Sequence, residues 1–253
     1  MDEKMVNEKK KETLRNENPV FVVAERANVE AVTENPATTK GAFGKTVLLL
    51  VALFIATGVS TFLTIEPSTW LKLALGAFGV GIVICRNPQY TATLAPLYVV
   101  MEGILLGQIA LAEEKVYPGI AVQTLVVTFV IAAVVAAGYY FRWVEVNEVF
   151  KSRVFLVTAG IAAVYLVDLV LLLGFGMQVP MIHESNWKGV LASLFVISVA
   201  AMNLAWDFDE ICTLSAKSLP KYYEWYFGFG VVVTLIWLYV EAMQLLRKIT
   251  RFL

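Results

Sequence analysis

The chain has 253 residues, of which 58% are hydrophobic and 16% charged, with a mean hydropathy of +0.70 and a formal net charge of −1. A soluble domain carries about a quarter charged residues, and here 15 of the 41 Asp, Glu, Lys and Arg residues are crowded into residues 1–44. A soluble core cannot hide so much apolar sequence, which excludes an ordinary soluble enzyme, and the near-neutral charge gives a nucleic-acid partner no electrostatic basis.

Residues 1–44 form a polar tail rich in Lys, Glu and Asn, with Pro19 and Pro36. It has too little apolar surface to fold alone and is read as a disordered, cytoplasmic, solvated leader. Residues 45–253 are read as one transmembrane domain. The first apolar run begins near residue 46 with no small-residue cleavage pattern close behind it, so it reads as a retained span.

A helix needs about 20 apolar residues to cross the hydrocarbon core, and backbone groups in lipid must be satisfied internally. Seven such spans follow in order. They are Thr46–Ile65, Ser68–Cys85, Thr91–Ala112, Tyr117–Phe141, Val154–Met177, Gly189–Trp206 and Trp225–Leu246. The first and fourth are uncharged. Glu102 interrupts the third, Asp168 the fifth and Glu241 the seventh, while the sixth runs into Asp207-Phe208-Asp209-Glu210. The second is short and Gly-rich. The fold class is therefore all-α, a polytopic seven-helix bundle in a lipid bilayer.

The excess of Lys and Arg in loops on the N-terminal side (Arg86, Arg142, Lys151, Arg153, Lys217, Lys221) places that side in the cytoplasm. Arg247, Lys248 and Arg251 at the other end run against the count. Two cysteines, Cys85 and Cys212, cannot make a disulfide framework, and the lone His183 excludes a His-rich metal site. No metal-ligand set and no cofactor is indicated. No phosphate-cradling Gly-rich loop and no intramembrane protease motif is present, so no enzyme activity is expected.

The carboxylates carry the information. A charge at the bilayer centre costs about 2.5–3.5 kcal/mol, so such a residue is paired, protonated or wet. Glu102, Asp168 and Glu241 lie within spans, and no Lys or Arg interrupts the apolar runs beside them. This pattern favours proton sharing between carboxyls and an acidic, base-poor interior suited to protons or a cation. A helical rise of about 1.5 Å per residue puts Asp168 roughly 21 Å, Glu241 roughly 24 Å and Glu102 roughly 15 Å from the N-terminal side, consistent with one shared polar region. Asp207, Asp209 and Glu224 form a second group where span six ends and span seven begins. Asp207 and Asp209 are two apart, so they face different ways. Glu210 and Glu224, at helix ends, read first as solvated charges. His183 reads as a loop histidine. Gly103, Gly107, Gly228 and Gly230 read as sites of close helix packing. Trp70, Trp143, Trp187 and Trp225 read as interfacial anchors.

Three segments then show a family resemblance. Met101-Glu102-Gly103-Ile104-Leu105-Leu106-Gly107 resembles the Glu-Gly motif of the transmembrane Bax inhibitor motif family. Asn203 through Ile211 resembles the end of its sixth span. Glu224-Trp225-Tyr226 through Leu238-Tyr239-Val240-Glu241 resembles its seventh. The order and spacing, over about residues 45–250, are most similar to the bacterial Bax inhibitor-1/YccA-like branch. The resemblance implies a bundle with the seventh helix central, in a bacterial plasma membrane. It also implies a pH-sensitive calcium leak controlled by paired aspartates on spans six and seven, with transient Ca²⁺ and proton binding. By motif, Asp209 matches the sixth-span acid and Glu241 the seventh. Glu224 fits the depth of Asp209 better, so the two-aspartate pattern does not carry over intact. The alternative is a regulatory membrane protein that binds a membrane protease or another membrane partner.

Overall fold

The computed structural model describes residues 35–177, 179 and 184–252. His183 and most of the polar tail fall outside that set. Seven helices are long and apolar enough to cross a membrane: α1 Thr39–Ser60, α2 Pro67–Arg86, α3 Thr91–Val116, α4 Ile120–Tyr140, α5 Glu148–Phe175, α6 Trp187–Thr213 and α7 Tyr223–Phe252. No strand occurs among the described residues. The all-α, seven-helix class is as the sequence predicts, and the protein is an integral membrane protein.

Local chemistry explains the helix starts. Thr38 caps α1, its hydroxyl oxygen accepting from the Gly41 N–H at 3.0 Å. Asn147 caps α5 through the Phe150 N–H at 2.9 Å, and Asn186 caps α6 through the Gly189 N–H at 2.9 Å. Pro67 opens α2 at a position where its missing N–H has no helical acceptor anyway. The carboxylate of Glu114 accepts from the Gly119 and Ala121 N–H groups at 2.5 and 3.2 Å, seating an anion on the start of α4. Gly119 has φ +86°, a conformation that a Cβ disfavours.

Helix ends differ from the sequence expectation where polar residues continue a helix. α1 starts at Thr39 rather than Thr46 and stops at Ser60 rather than Ile65. Its first turn is anchored, since the Ala37 N–H donates to the Leu219 carbonyl at 2.8 Å. Thr38 to Gly44 therefore belong to the bundle and not to the tail. α5 starts at Glu148 rather than Val154, α6 runs to Thr213, and α7 runs on to Phe252 past Arg247, Lys248 and Arg251. Apolar windows end where charges begin, whereas the helices themselves do not.

α7 is the centre. It packs against α1, α3, α4 and α6 and supplies residues to both apolar clusters. One cluster joins Leu204 and Ile211 of α6 to Phe227, Val231 and Leu238. The other joins Leu49 of α1, Ile84 of α2 and Val99 of α3 to Phe229 and Val232. α1 lies close on α3 because Gly107 has no side chain: a Cβ there would sit 2.5 Å from the Thr57 carbonyl oxygen. A Cβ on Gly103 would sit 2.8 Å from the Leu53 carbonyl oxygen. These two glycines serve close packing, as small residues do between membrane helices.

α2 packs mainly on α3, and α5 mainly on α6. No residue in the most apolar window of α5 is buried within the protein, against more than half of the corresponding window of α7. Leu156, Leu166, Val170 and Leu173 are exposed on α5 and face where lipid would be. The face carrying the start of α1 is called the near face below, and the opposite one the far face.

Candidate functional site: the intramembrane carboxylates

The near-face group is a network of ion pairs. The Lys151 ammonium, on the first turn of α5, lies 2.8 Å from Asp209 Oδ2 and 2.9 Å from Glu210 Oε1. Lys217 pairs with the second oxygen of Glu210. The Tyr139 hydroxyl at the end of α4 donates to Asp209 Oδ1 at 3.2 Å, and the Trp206 indole donates to Glu210 Oε1 at 3.2 Å. Glu210 is 5% exposed and Lys151 8%. At that burial an unpaired charge would be costly, so each needs the other.

Asp209, matched by motif to the sixth-span acid, is thus ion-paired with Lys151 rather than left without a cation. The lysines lie at helix ends in the sequence, but the long Lys151 side chain turns inward and delivers its charge to α6. Glu210 is not a solvated end charge either. Glu224 is corrected in the same way: it is 2% exposed. It accepts from the Thr38 N–H at 2.9 Å and the Thr38 hydroxyl at 2.8 Å, and pairs with Lys221 at 2.7 Å. Gly41 makes the room, because a Cβ there would fall 2.1 Å from the Glu224 carboxyl carbon. Glu224 thus ties the start of α7 to the start of α1.

Asp207 points elsewhere, as the two-residue spacing predicts. Its Oδ2 accepts from the Thr234 hydroxyl of α7 at 2.5 Å. Thr234 lies eleven residues into α7, roughly 16 Å along the helix. Asp207 therefore faces the central helix, while Asp209 faces α4 and α5.

The far-half group centres on Glu241, which is 2% exposed. Its Oε1 accepts from the Tyr165 hydroxyl of α5 at 2.6 Å and from the Trp237 indole at 3.3 Å. Lys248, two turns further along α7, is also 2% exposed; its ammonium donates to Ser193 Oγ at 2.8 Å and the Gly189 carbonyl at 3.2 Å. Asp168 lies one turn beyond Tyr165, and its Oδ1 accepts from the Val179 N–H at 2.7 Å. Tyr165 and Asp168 line a cleft of about 270 Å³ with Glu113, Gln244 and Arg247. Arg247 donates to Glu113 at 2.9 Å across its rim.

Of the three acids expected to share one region, Glu241 is bonded to Tyr165, and Asp168 lines a cleft with the same tyrosine. Glu102 stands apart on α3 beside Tyr98, which packs edge-on against Phe229 with 4.9 Å between ring centroids. A direct Asp209–Glu241 pair is not formed. Their partners on α5, Lys151 and Tyr165, are fourteen residues apart, roughly 21 Å.

Sequence reasoning missed Glu210, Lys151 and the connecting pair Thr158–Asn203, where the Asn203 amide donates to the Thr158 hydroxyl oxygen at 2.7 Å. A signal was present: Lys151, Thr158 and Tyr165 recur every seventh residue on a helix that is otherwise nearly all apolar. Two further cavities complete the picture. One of about 620 Å³ on the near face is lined by Tyr139, Arg142, Glu145, Phe208 and Cys212. The other, about 280 Å³ and almost wholly apolar, lies between α1, α3, α4 and α7. Cys85 and Cys212 are free and exposed. Among the described residues no three His, Cys, Asp or Glu side chains are grouped to hold a metal ion.

No curated protein and no solved structure matches the chain. A family model described as Bax inhibitor 1 like matches residues 8–251, nearly the whole length. With the seven-helix bundle and its central α7, this match identifies the chain as a member of the Bax inhibitor 1 like family.

Proposed function

We propose that this protein is a pH-sensitive leak for Ca²⁺ across a bacterial plasma membrane, with the near face cytoplasmic. The observation that carries the reading is Glu241. It is a carboxylate on the central helix, 2% exposed, roughly 16 Å from the end of α7 and bonded to a tyrosine hydroxyl and an indole N–H. An anion at that depth is costly, so its charge depends on proton exchange and on any cation that approaches. Asp207, bonded to Thr234, and Glu102, beside Tyr98, are further carboxyls held by neutral groups within the spans. Ca²⁺ is a hard cation that takes oxygen ligands, which carboxylates, hydroxyls and carbonyls along these helices supply. Coupled protonation of Asp207, Asp168 and Glu241 would make permeation respond to pH. Asp209 and Glu224, both ion-paired, hold the near end closed.

The test is Ca²⁺ entry into vesicles that contain the purified protein and a calcium dye. The reading predicts entry above that of protein-free vesicles, changing from mildly acidic to mildly alkaline pH. It predicts a flattened pH response in Glu241→Gln and altered flux in Asp209→Asn, with folding intact. Entry no greater than that of protein-free vesicles throughout that range contradicts it.

A further inference from the structure

α5 is built unlike the other helices. Its protein-facing residues from Lys151 to Asp168 are Lys151, Val154, Thr158, Ile161, Tyr165 and Asp168, a narrow stripe with alternating spacings of three and four, and Phe150, Leu169 and Leu171 flank it half-buried. Every seventh residue of this stripe makes a polar bond to the bundle. Lys151 reaches Asp209 and Glu210, Thr158 meets Asn203, and Tyr165 reaches Glu241. Successive rungs are roughly 10 Å apart along the helix. Beyond its first two turns, which also carry Glu148, Ser152 and Arg153, the outward face of α5 is apolar.

A cavity lies at each end of this ladder. The near-face cavity is lined by Tyr139, whose hydroxyl is bonded to Asp209. The far cleft is lined by Tyr165 and Asp168. Polar groups therefore run from one cavity to the other along a single seam, and between the first two rungs Val154, 4% exposed, plugs it. The described state is closed.

We infer that the seam between α5 and the α6–α7 pair is the permeation route, with α5 as its movable wall. The inference rests on the leak reading and locates its path. Swinging α5 outward breaks the three side-chain rungs, while its apolar stripe exchanges protein for lipid at little cost. It withdraws Val154 and opens a path along Asp209, Glu210, Asn203, Glu241 and Asp168. Oxygen ligands are then present from the near-face cavity to the far cleft, as a hard cation requires. Arg247, on the rim of the far cleft and bonded to Glu113, sets a positive charge at the exit.

The test uses the full-length protein with Cys85→Ser and Cys212→Ser. Thr158→Cys and Asn203→Cys are introduced together and joined by a short, reducible bis-methanethiosulfonate bridge. Bridging is expected to cut Ca²⁺ entry into vesicles by about tenfold or more, since a tethered wall removes the open population. Reduction of the bridge should restore it. Entry that is unchanged by bridging overturns the inference. A second arm needs no flux: Thr158→Cys should react with a membrane-impermeant, water-soluble methanethiosulfonate, while the lipid-facing Leu166→Cys should not. Equal inertness of the two overturns the seam as a water-accessible route. Absence of Ca²⁺ entry in the parent protein with only Cys85→Ser and Cys212→Ser contradicts the leak reading itself, and the accessibility arm then decides the seam on its own.

Discussion

α5 and α7 are both long helices able to cross a membrane, yet they hold opposite places in the molecule. More than half of α7's most apolar window is buried, and none of α5's is. Hydrophobicity runs opposite to burial, α5 being the more apolar of the two, because lipid is as good a solvent for apolar side chains as the protein interior. Glycine and carboxylates separate them. α7 carries Gly228 against the α1 backbone, where a Cβ would sit 3.1 Å from the Ala42 carbonyl oxygen, and its buried Glu224, Thr234, Glu241 and Lys248 accept or donate polar bonds inward. α5 offers a ladder of three rungs and a narrow stripe. In a membrane, burial follows close approach and polar complementarity more than apolar content.

This contrast can be broken from either side. The largest effect is expected at Lys151. Lys151→Met leaves Asp209 and Glu210 with one fewer cation and should cost about 3 kcal/mol or more, as removal of one partner of a buried pair does. Lys151→Arg should retain most of that stability. Unfolding in bicelles, followed by circular dichroism, measures both. On the α7 side of the comparison, Gly228→Leu should cost about 1–3 kcal/mol, because the new side chain meets the Ala42 carbonyl and the α1–α7 contact must open. Its readout is the same unfolding curve.

Smaller changes sharpen the ladder. Tyr165→Phe removes one hydrogen bond to a carboxyl and should cost about 1 kcal/mol. Hydrogen exchange should rise in the far half of α5 and remain unchanged at Lys151. Thr158→Val should cost about 0.6 kcal/mol, the average for a bond between membrane helices. If Thr158→Val destabilised as much as Lys151→Met, charge would not grade the rungs.

The fold was largely legible because apolar windows of membrane length have few alternatives. All seven spans follow from them. What they did not show was the polar first turn of α1 and the charged last turns of α7, since a helix continues wherever its backbone is satisfied, and Thr38 and the α6–α7 connection satisfy the start of α1. Glu102, Asp168 and Glu241 were legible as charges in apolar runs. Glu210 and Glu224 were not, because a charge at a helix end is normally solvated. Their burial depends on Lys151 reaching inward and on the missing side chain of Gly41, both of which are tertiary facts. The seven-residue recurrence of Lys151, Thr158 and Tyr165 was visible in the sequence, but its meaning required knowing that Asn203, Glu210 and Glu241 stand opposite.

The most direct test of a movable α5 is a distance. Spin labels at Leu173→Cys on α5 and Thr250→Cys on α7, both exposed, report the far end of the seam in the Cys85→Ser, Cys212→Ser protein. Pulsed electron–electron resonance in lipid should show a longer distance population that grows at the pH where Ca²⁺ entry is fastest. A single unchanged distance across conditions that switch Ca²⁺ entry on and off would contradict the account.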